Sequence, residues 1–96
     1  MAKMDLGTYL KQARLRAGYS QGDIARFLGL QSAQSISDWE RNYGSGIPVK
    51  SLKELVKIYG MDAGRVFDLL LEYQYQKIER SLAAEFFPQK RKKKGS

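Results

Sequence analysis

The spacing of apolar residues along this chain of 96 residues predicts helices. Apolar positions recur at intervals of three and four residues, and the long Val/Ile/Thr alternation that marks strands is missing. Proline occurs only at Pro48 and Pro88, and glycines separate the periodic segments. We therefore expect an all-α fold with a single modest core, because a chain of this length has no room for a second one.

The first predicted helix covers about 5–17, and the second opens at Ser20. Asp5 suits an N-terminal cap of the first helix. Ser20 and Asp23 have the spacing of a capping box, with Asp in place of the usual Glu. The second helix is only about two turns long and ends at Gly29, so tertiary contacts must stabilise it.

A third helix is predicted from Gln31-Ser32 to about Arg41. At about 100° per residue, Ile36 and Trp39 fall on its inner side. The outer side carries side chains that form hydrogen bonds, namely Gln34, Ser37, Asp38 and Arg41. Two short helices joined by a turn of three to four residues form a helix-turn-helix, in which the first helix braces the second.

The remaining pattern predicts two more helices. The fourth follows Pro48 and ends at Gly60, and its buried side consists of Leu52, Leu55, Val56 and Ile58. The fifth starts at Asp62 as N-cap and continues for about six turns to Pro88. Residues 88–96 form a low-complexity basic tail that we expect to be disordered.

Within the fifth helix a heptad-like row of apolar residues recurs at spacings of four, three and four: Leu71, Tyr75, Ile78 and Leu82. One interpretation is that this row folds back onto its own domain. We favour dimerisation, because a helix of this length would overhang a domain of about 70 residues. The predicted organisation is a helix-turn-helix domain at 5–70, with its motif at about 20–41, an extended helix at 63–87, and the tail.

The amino-acid composition excludes several kinds of functional site. Cysteine and histidine are both absent, which removes disulfides, thiol nucleophiles, the usual zinc sites and most general-base catalysis. No glycine-rich phosphate loop is present either, so an enzyme is the least expected class and no cofactor or metal is expected. The sequence has no apolar run of eighteen residues and no secretory signal, which predicts a cytoplasmic, nucleoid-associated protein without a membrane role.

The net charge of +7 is concentrated at one end of the chain. Five of the seventeen basic residues lie in 90–94, which leaves twelve basic against ten acidic residues, or +2, elsewhere. Charge alone is therefore weak evidence for nucleic acid. Lysines of the tail would add affinity without sequence information.

The outer side of the third helix suits base recognition. Gln can pair with adenine, Ser can contact several bases, and Asp can accept from cytosine. On an arbitrary helix the same residues would be interpreted as a solvated face. The predicted DNA-binding residues of the motif and the following loop are Gln21, Gln31, Ser32, Gln34, Ser37, Asp38, Arg41, Tyr43 and Lys50.

A family resemblance rests on the joint pattern of Leu10, Arg14, Gly18-Tyr19-Ser20-Gln21, Ile24-Ala25, Leu28-Gly29-Leu30, Ile36-Ser37 and Trp39-Glu40-Arg41. Over roughly residues 6–70 the chain resembles the Cro and lambda-repressor-like helix-turn-helix family, the xenobiotic-response-element type of transcriptional regulator. This resemblance implies a five-helix domain, dimeric binding to paired half-sites and control of transcription.

The resemblance also implies roles for individual residues. Gln21 matches a residue that contacts the DNA backbone, and Gln34 and Asp38 match positions that touch bases. Arg14 and Glu40 match a buried ion pair. The sequence departs from the family pattern by one extra residue near Gln31-Ser32, by a longer loop before Pro48, and by the helix and tail at the C-terminal end.

The resulting expectation is a sequence-specific regulator, a repressor, that binds a pseudo-palindromic operator on double-stranded DNA as a homodimer. An alternative is an antitoxin-like or bridging module whose C-terminal helix binds a partner protein. A third possibility is association of the tail and the amphipathic helix with an anionic lipid surface.

Overall fold

The structure is a computed structural model that describes residues 4–44 and 46–88. Over these residues it contains five helices and no strand, which confirms the all-α prediction. The helices are α1 (Leu6–Ala17), α2 (Gln21–Phe27), α3 (Gln34–Glu40), α4 (Val49–Tyr59) and α5 (Ala63–Phe86). The predicted disordered tail lies, apart from Pro88, outside the described residues.

The predicted caps fix where the helices begin. Asp5 accepts from the backbone N–H of Thr8 at 2.9 Å and caps α1. The capping box of α2 is complete: the N–H of Asp23 donates to Ser20 Oγ, and the N–H of Ser20 donates to Asp23 Oδ2, each at 3.0 Å. Gly18 ends α1 in the left-handed region with φ 85°, a conformation that costs other residues strain.

All five helices contribute to one core, and α1 packs against α3, α4 and α5. Its most completely buried side chains are Leu10, Ile24, Ile36 and Leu55. Ile36 is the inner residue of α3, and the half-buried Trp39 packs against the same core. Burial of this inner side stabilises a seven-residue helix that would not form alone in water.

The prediction for the start of the third helix was wrong. α3 begins at Gln34, so Gln31 and Ser32 lie in a six-residue connection rather than in the first helical turn. The hydroxyl of Ser32 accepts from the N–H of Gln34 at 3.3 Å. A serine that bonds the backbone ahead of a helix acts as a start signal, because it satisfies a donor that the first turn leaves open.

Only the beginning of α5 joins the core. Val66 and Leu69 are buried, whereas every described residue from Ile78 to Pro88 is exposed. The heptad-like row is more than half exposed throughout, so it does not fold back onto its own domain. The distal half of α5 therefore extends beyond the core of the domain.

Candidate nucleic-acid interface

The outer side of α3 is an ordered hydrogen-bonded row. Gln34 and Arg41 are exposed, and between them Asp38 is half-buried. The Oδ1 atom of Asp38 accepts from Gln34 Nε2 at 2.9 Å and from Arg41 Nη2 at 3.0 Å. Since the carboxylate is paired with a guanidinium, its negative charge is partly offset on a surface that would face phosphates.

The loop after α3 extends this row. The guanidinium of Arg41 lies over the ring of Tyr43, 5.2 Å from its centroid, in a cation–π contact. The backbone N–H of Tyr43 donates to the carbonyl of Asp38 at 2.8 Å. Arg41 and Tyr43 are thus held beside the end of α3 although Tyr43 remains 64% exposed.

Behind the row, a buried ion pair joins α1 to α3. Arg14 Nε lies 2.6 Å from Glu40 Oε2, and Arg14 Nη2 donates to Glu40 Oε1 at 3.0 Å. The two side chains are only 7% and 4% exposed. Arg14 also donates to the carbonyl of Tyr19 at 2.9 Å, and its hydrogen bond with Glu40 raises the pKa of Arg14 above its usual range. Bidentate geometry satisfies two charges that would be costly if unpaired.

The side chain of Gln21 belongs to the same cluster. Its Nε2 donates to Glu40 Oε1 at 3.0 Å, so the first residue of α2 is tied to the last residue of α3. Gln21 remains half-buried rather than enclosed. The arrangement holds its amide in one orientation and joins α1, α2 and α3 through a single carboxylate.

Tyr59 of α4 lies near this cluster and has no counterpart among the predicted residues. Its hydroxyl is buried and has no hydrogen-bond partner among the described residues. Burial raises the pKa of Tyr59 well above its usual range, the charge of Glu40 raises it further, and Arg14 opposes both. The phenol therefore stays neutral at any physiological pH. Its spacing of four from Leu55 is the signal that could have placed it on the buried side of α4.

The other predicted DNA-binding residues do not take part in the side-chain hydrogen bonds of Asp38, although the carbonyl of Ser37 accepts from Arg41 Nε at 3.4 Å. Gln31 and Ser32 are exposed in the connection before α3, and Ser37 is half-buried on α3. Lys50 is exposed near the start of α4. Two further exposed lysines, Lys53 and Lys57, follow it at spacings of three and four on the same side of α4. This basic row was missed, although its helical spacing is visible in the sequence.

Asn42 has a structural role that the sequence did not predict. It adopts the left-handed region with φ 56°, and its Oδ1 accepts from the N–H of Gly7 at 3.1 Å. A Cβ at Gly7 would lie 2.6 Å from the carbonyl oxygen of Glu40 and 2.8 Å from the Asn42 amide atoms. The close approach of α1 to the end of α3 thus requires glycine at this position.

Comparison with known families decides the class of the fold. The profile of a helix-turn-helix family, of the Cro/C1 type, matches residues 10–65. The chain belongs to this family. Its domain is that of a DNA-binding transcriptional regulator. Neither a curated protein nor a solved structure gives a significant match.

The matched region runs from α1 to the first turn of α5 and so includes the candidate interface, whereas most of α5 lies beyond it. In the part of the chain that the structure describes, no group of three or more acidic side chains is placed to hold a metal ion. Within the same ranges, none of the helices has the length and apolar character needed to cross a bilayer.

Proposed function

We propose that this helix-turn-helix protein is a sequence-specific repressor that binds a pseudo-palindromic operator as a homodimer, with α3 in the major groove. The observation that carries the proposal is the outer row of α3, where Gln34, Asp38 and Arg41 are exposed or half-buried and hydrogen-bonded to one another. A row fixed in this way presents donors and acceptors without a large loss of side-chain entropy on binding.

In this proposal each side chain of the row has a distinct task. Gln34, in the first turn of α3, reads an adenine through its paired donor and acceptor, and Ser37 contacts a neighbouring base. Asp38 orients Gln34 and accepts from a cytosine. Arg41, stacked on Tyr43, contacts a phosphate or a guanine at the far end of the helix.

Contacts with phosphate fix the register of α3 in the groove. Gln21 donates one amide hydrogen to Glu40, so its second amide hydrogen can donate to a backbone phosphate. Gln31 and Ser32 approach the duplex from the connection before α3, and Lys50 from α4. The basic segment 90–94, outside the described residues, adds affinity that does not depend on sequence.

Homodimer formation is proposed through the exposed row of α5, Leu71, Tyr75, Ile78 and Leu82. A twofold arrangement places two copies of α3 on half-sites roughly one helical turn, about 34 Å, apart. Occupancy of such an operator excludes other proteins from the same DNA, which is the simplest route to repression. The protein would act in the cytoplasm, at the nucleoid.

The exposed face of α5 also supports a second candidate function, that of an antitoxin-like or bridging protein. In that case the row would be covered by a different protein rather than by a second copy. The two candidates differ in the mass of the purified chain: the repressor is a dimer by itself, and the bridging module remains a monomer until its partner is added.

Selection of bound sequences from a random duplex pool tests the proposal, with the mass of the recovered complex measured alongside. We expect an enriched motif with twofold symmetry and two chains per duplex. A pool without enrichment would contradict sequence-specific binding. A motif without symmetry, bound by one chain, would contradict the homodimer alone.

A further inference from the structure

The loop between α3 and α4, residues 41–48, makes a close contact with α5. We call this segment the α3–α4 loop. A Cβ atom at Gly46 would lie 2.8 Å from the hydroxyl oxygen of Tyr73, 3.0 Å from its Cε2 atom and 3.3 Å from its Cζ atom. The ring of Tyr73 therefore occupies the space in which a side chain at position 46 would begin. Only glycine leaves room for the ring at this point of the loop.

Tyr73 is half-buried, yet its contact is with the loop rather than with the core. Its spacing of four from the buried Leu69 places it on the covered side of α5. Among the described residues, the partly buried side chains that pack against the core include Leu70 of α5 but not Tyr73. The backbone at Gly46 is what the ring of Tyr73 covers. Tyr73 therefore supports the α3–α4 loop more than it supports the core.

The ring of Tyr73 is itself held by its own helix. The ammonium group of Lys77, one turn further along α5, lies 5.9 Å from the ring centroid, within the range of a cation–π contact. A tyrosine side chain has only two torsions, so it loses little conformational entropy when it is fixed in one position. The ring is thus a rigid support for the backbone that it contacts.

The α3–α4 loop is held on both sides of the exposed Tyr43. Before it, Asn42 Oδ1 accepts from the N–H of Gly7 at 3.1 Å and joins the loop to α1. After it, Gly46 lies against Tyr73 and joins the loop to α5. The side chain that stacks on the guanidinium at the end of α3 is therefore placed between two fixed points.

The backbone between these two points is costly to order. Gly44 and Gly46 both lie in the left-handed region, with φ 78° and 92°. Glycine loses more conformational freedom on ordering than any other residue, so contacts from outside the loop are needed to restrict it. A loop without such contacts would become ordered only when DNA binds, and the entropy cost would then weaken binding.

Resting on the DNA contacts of the proposed function, we propose that Tyr73 is a positioning residue for DNA binding. Its ring holds the α3–α4 loop so that Tyr43 is already stacked on Arg41 when the duplex arrives. Tyr73 acts through Tyr43 and does not contact DNA itself. The fifth helix then has a second task, since it orders part of the DNA-binding surface of its own domain.

This role is separate from the proposed homodimer interface. Leu71 and Tyr75 of the exposed row lie two residues before and two residues after Tyr73. At about 100° per residue, both fall on the opposite side of α5. A substitution of Tyr73 should therefore change the loop without changing the mass of the complex with DNA.

Backbone order in the free protein tests whether Tyr73 restricts the loop. NMR order parameters at the amides of Tyr43, Gly44 and Gly46 should be about 0.85 in the parent chain, as in rigid backbone, and below about 0.6 in Tyr73→Ala. Tyr73→Phe retains the ring atoms beside Gly46 and should keep the parent values. Gln76→Ala removes an exposed side chain from the same side of α5 and is the matched control, with no change expected.

A double-mutant cycle tests whether Tyr73 acts through Tyr43. The dissociation constant for the selected operator is measured for Tyr73→Ala, for Tyr43→Ala and for the double variant. Tyr73→Ala should weaken binding about three- to tenfold, and Tyr73→Phe less than about twofold. In the Tyr43→Ala background the loss from Tyr73→Ala should fall below about twofold, because the side chain that Tyr73 positions is already gone.

Two results would overturn the positioning role. One is a loop whose order parameters are unchanged in Tyr73→Ala. The other is an equal loss of affinity with and without the side chain of Tyr43, as expected from a purely structural residue. Circular dichroism checks that each variant is folded, and Tyr73→Leu, which keeps apolar bulk without the ring, replaces Tyr73→Ala if that variant does not fold.

Failure of the proposed function gives a different result. A random duplex pool without an enriched sequence would contradict sequence-specific binding. The order parameters are measured on the protein without DNA, so they decide independently whether Tyr73 orders the loop.

Discussion

The guanidinium of Arg14 on α1 holds the carboxylate of Glu40, the last residue of α3, with two hydrogen bonds of 2.6 and 3.0 Å. Both groups are almost fully buried, and each charge is compensated by the other. The pair also fixes where α3 ends relative to α1. Its contribution is chiefly geometric, because desolvation offsets much of the attraction between buried charges.

Removing one partner of this pair is expected to destabilise the domain strongly. Glu40→Ala leaves Arg14 buried without its counter-charge and should lower the free energy of unfolding by about 3–5 kcal/mol, measured by urea denaturation. The double variant Arg14→Met with Glu40→Met should lose less than Glu40→Ala alone. Glu54→Ala, at an exposed position of α4, is the control and should change stability by less than about 0.5 kcal/mol. Equal losses in the single and double variants would contradict a compensating pair.

Gln34 is the best single test of base recognition. Gln34→Ala should weaken binding to the selected operator by about 1–3 kcal/mol and relax specificity at one base pair of each half-site. Binding curves on the operator and on its single-base variants measure both effects. Gln12→Ala removes an exposed glutamine from α1 and should leave the curves unchanged. If Gln34→Ala discriminates among the variants as well as the parent chain does, Gln34 does not read a base.

The capping box of α2 predicts a dependence of stability on pH. The backbone N–H of Ser20, followed by its side chain, holds the pKa of Asp23 below its usual range. A carboxyl with a lowered folded pKa stabilises the fold above its unfolded pKa of about 3.9, and this contribution is lost as the pH falls through the folded value. The stability difference between the parent chain and Asp23→Ala should therefore be constant near neutrality and shrink below about pH 4.

Ser20→Ala is the control for this titration. The serine hydroxyl does not ionise, but it contributes to the lowered pKa of Asp23, so its loss should cost about 1 kcal/mol near neutrality and should decrease less at low pH than the loss in Asp23→Ala does. Thermal unfolding at a series of pH values measures both variants. A difference for Asp23→Ala that stays constant down to pH 2 would show that this carboxylate does not contribute through its charge.

Charge introduced into the exposed row of α5 should separate the two copies of the proposed homodimer. Leu71→Asp with Ile78→Asp places two carboxylates on the apolar face of each helix and should yield monomers by sedimentation, with the helix content of the domain retained. Gln76→Asp with Ala83→Asp adds the same charge at exposed positions outside this row and should remain dimeric. A dimer that persists in the first variant would refute the interface on α5.

Much of the fold could be predicted from local signals. The caps at Asp5, Ser20 and Asp62 each accept from a backbone N–H two or three residues further along the chain. Because these bonds are local, the starts of α1, α2 and α5 could be predicted from the sequence. The apolar periodicity likewise placed Ile36 on the buried side of α3, because the period of a helix determines which residues share a side.

The start of α3 and the hydrogen bonds that hold the candidate interface in place were harder to predict. A longer helix from Gln31 and the observed start at Gln34 have nearly the same apolar pattern, and the hydrogen bond from Gln34 to Ser32 accompanies the observed start. The bond between Gln21 and Glu40 joins residues nineteen positions apart, and periodicity contains no information on such a contact. The sequence pattern also did not show that Phe67 and Phe86 of α5 are exposed, because periodicity does not tell which apolar residues a neighbouring helix covers.

The close approach at Gly7 bears on how loss-of-function variants of this protein should be interpreted. Any side chain there would press on the carbonyl of Glu40 and on the side chain of Asn42, the two residues on either side of Arg41. A variant at Gly7 would lose operator binding while all of its recognition residues are intact. In a mutational screen scored by repression, this glycine would look like part of the reading surface, although it only keeps that surface in place.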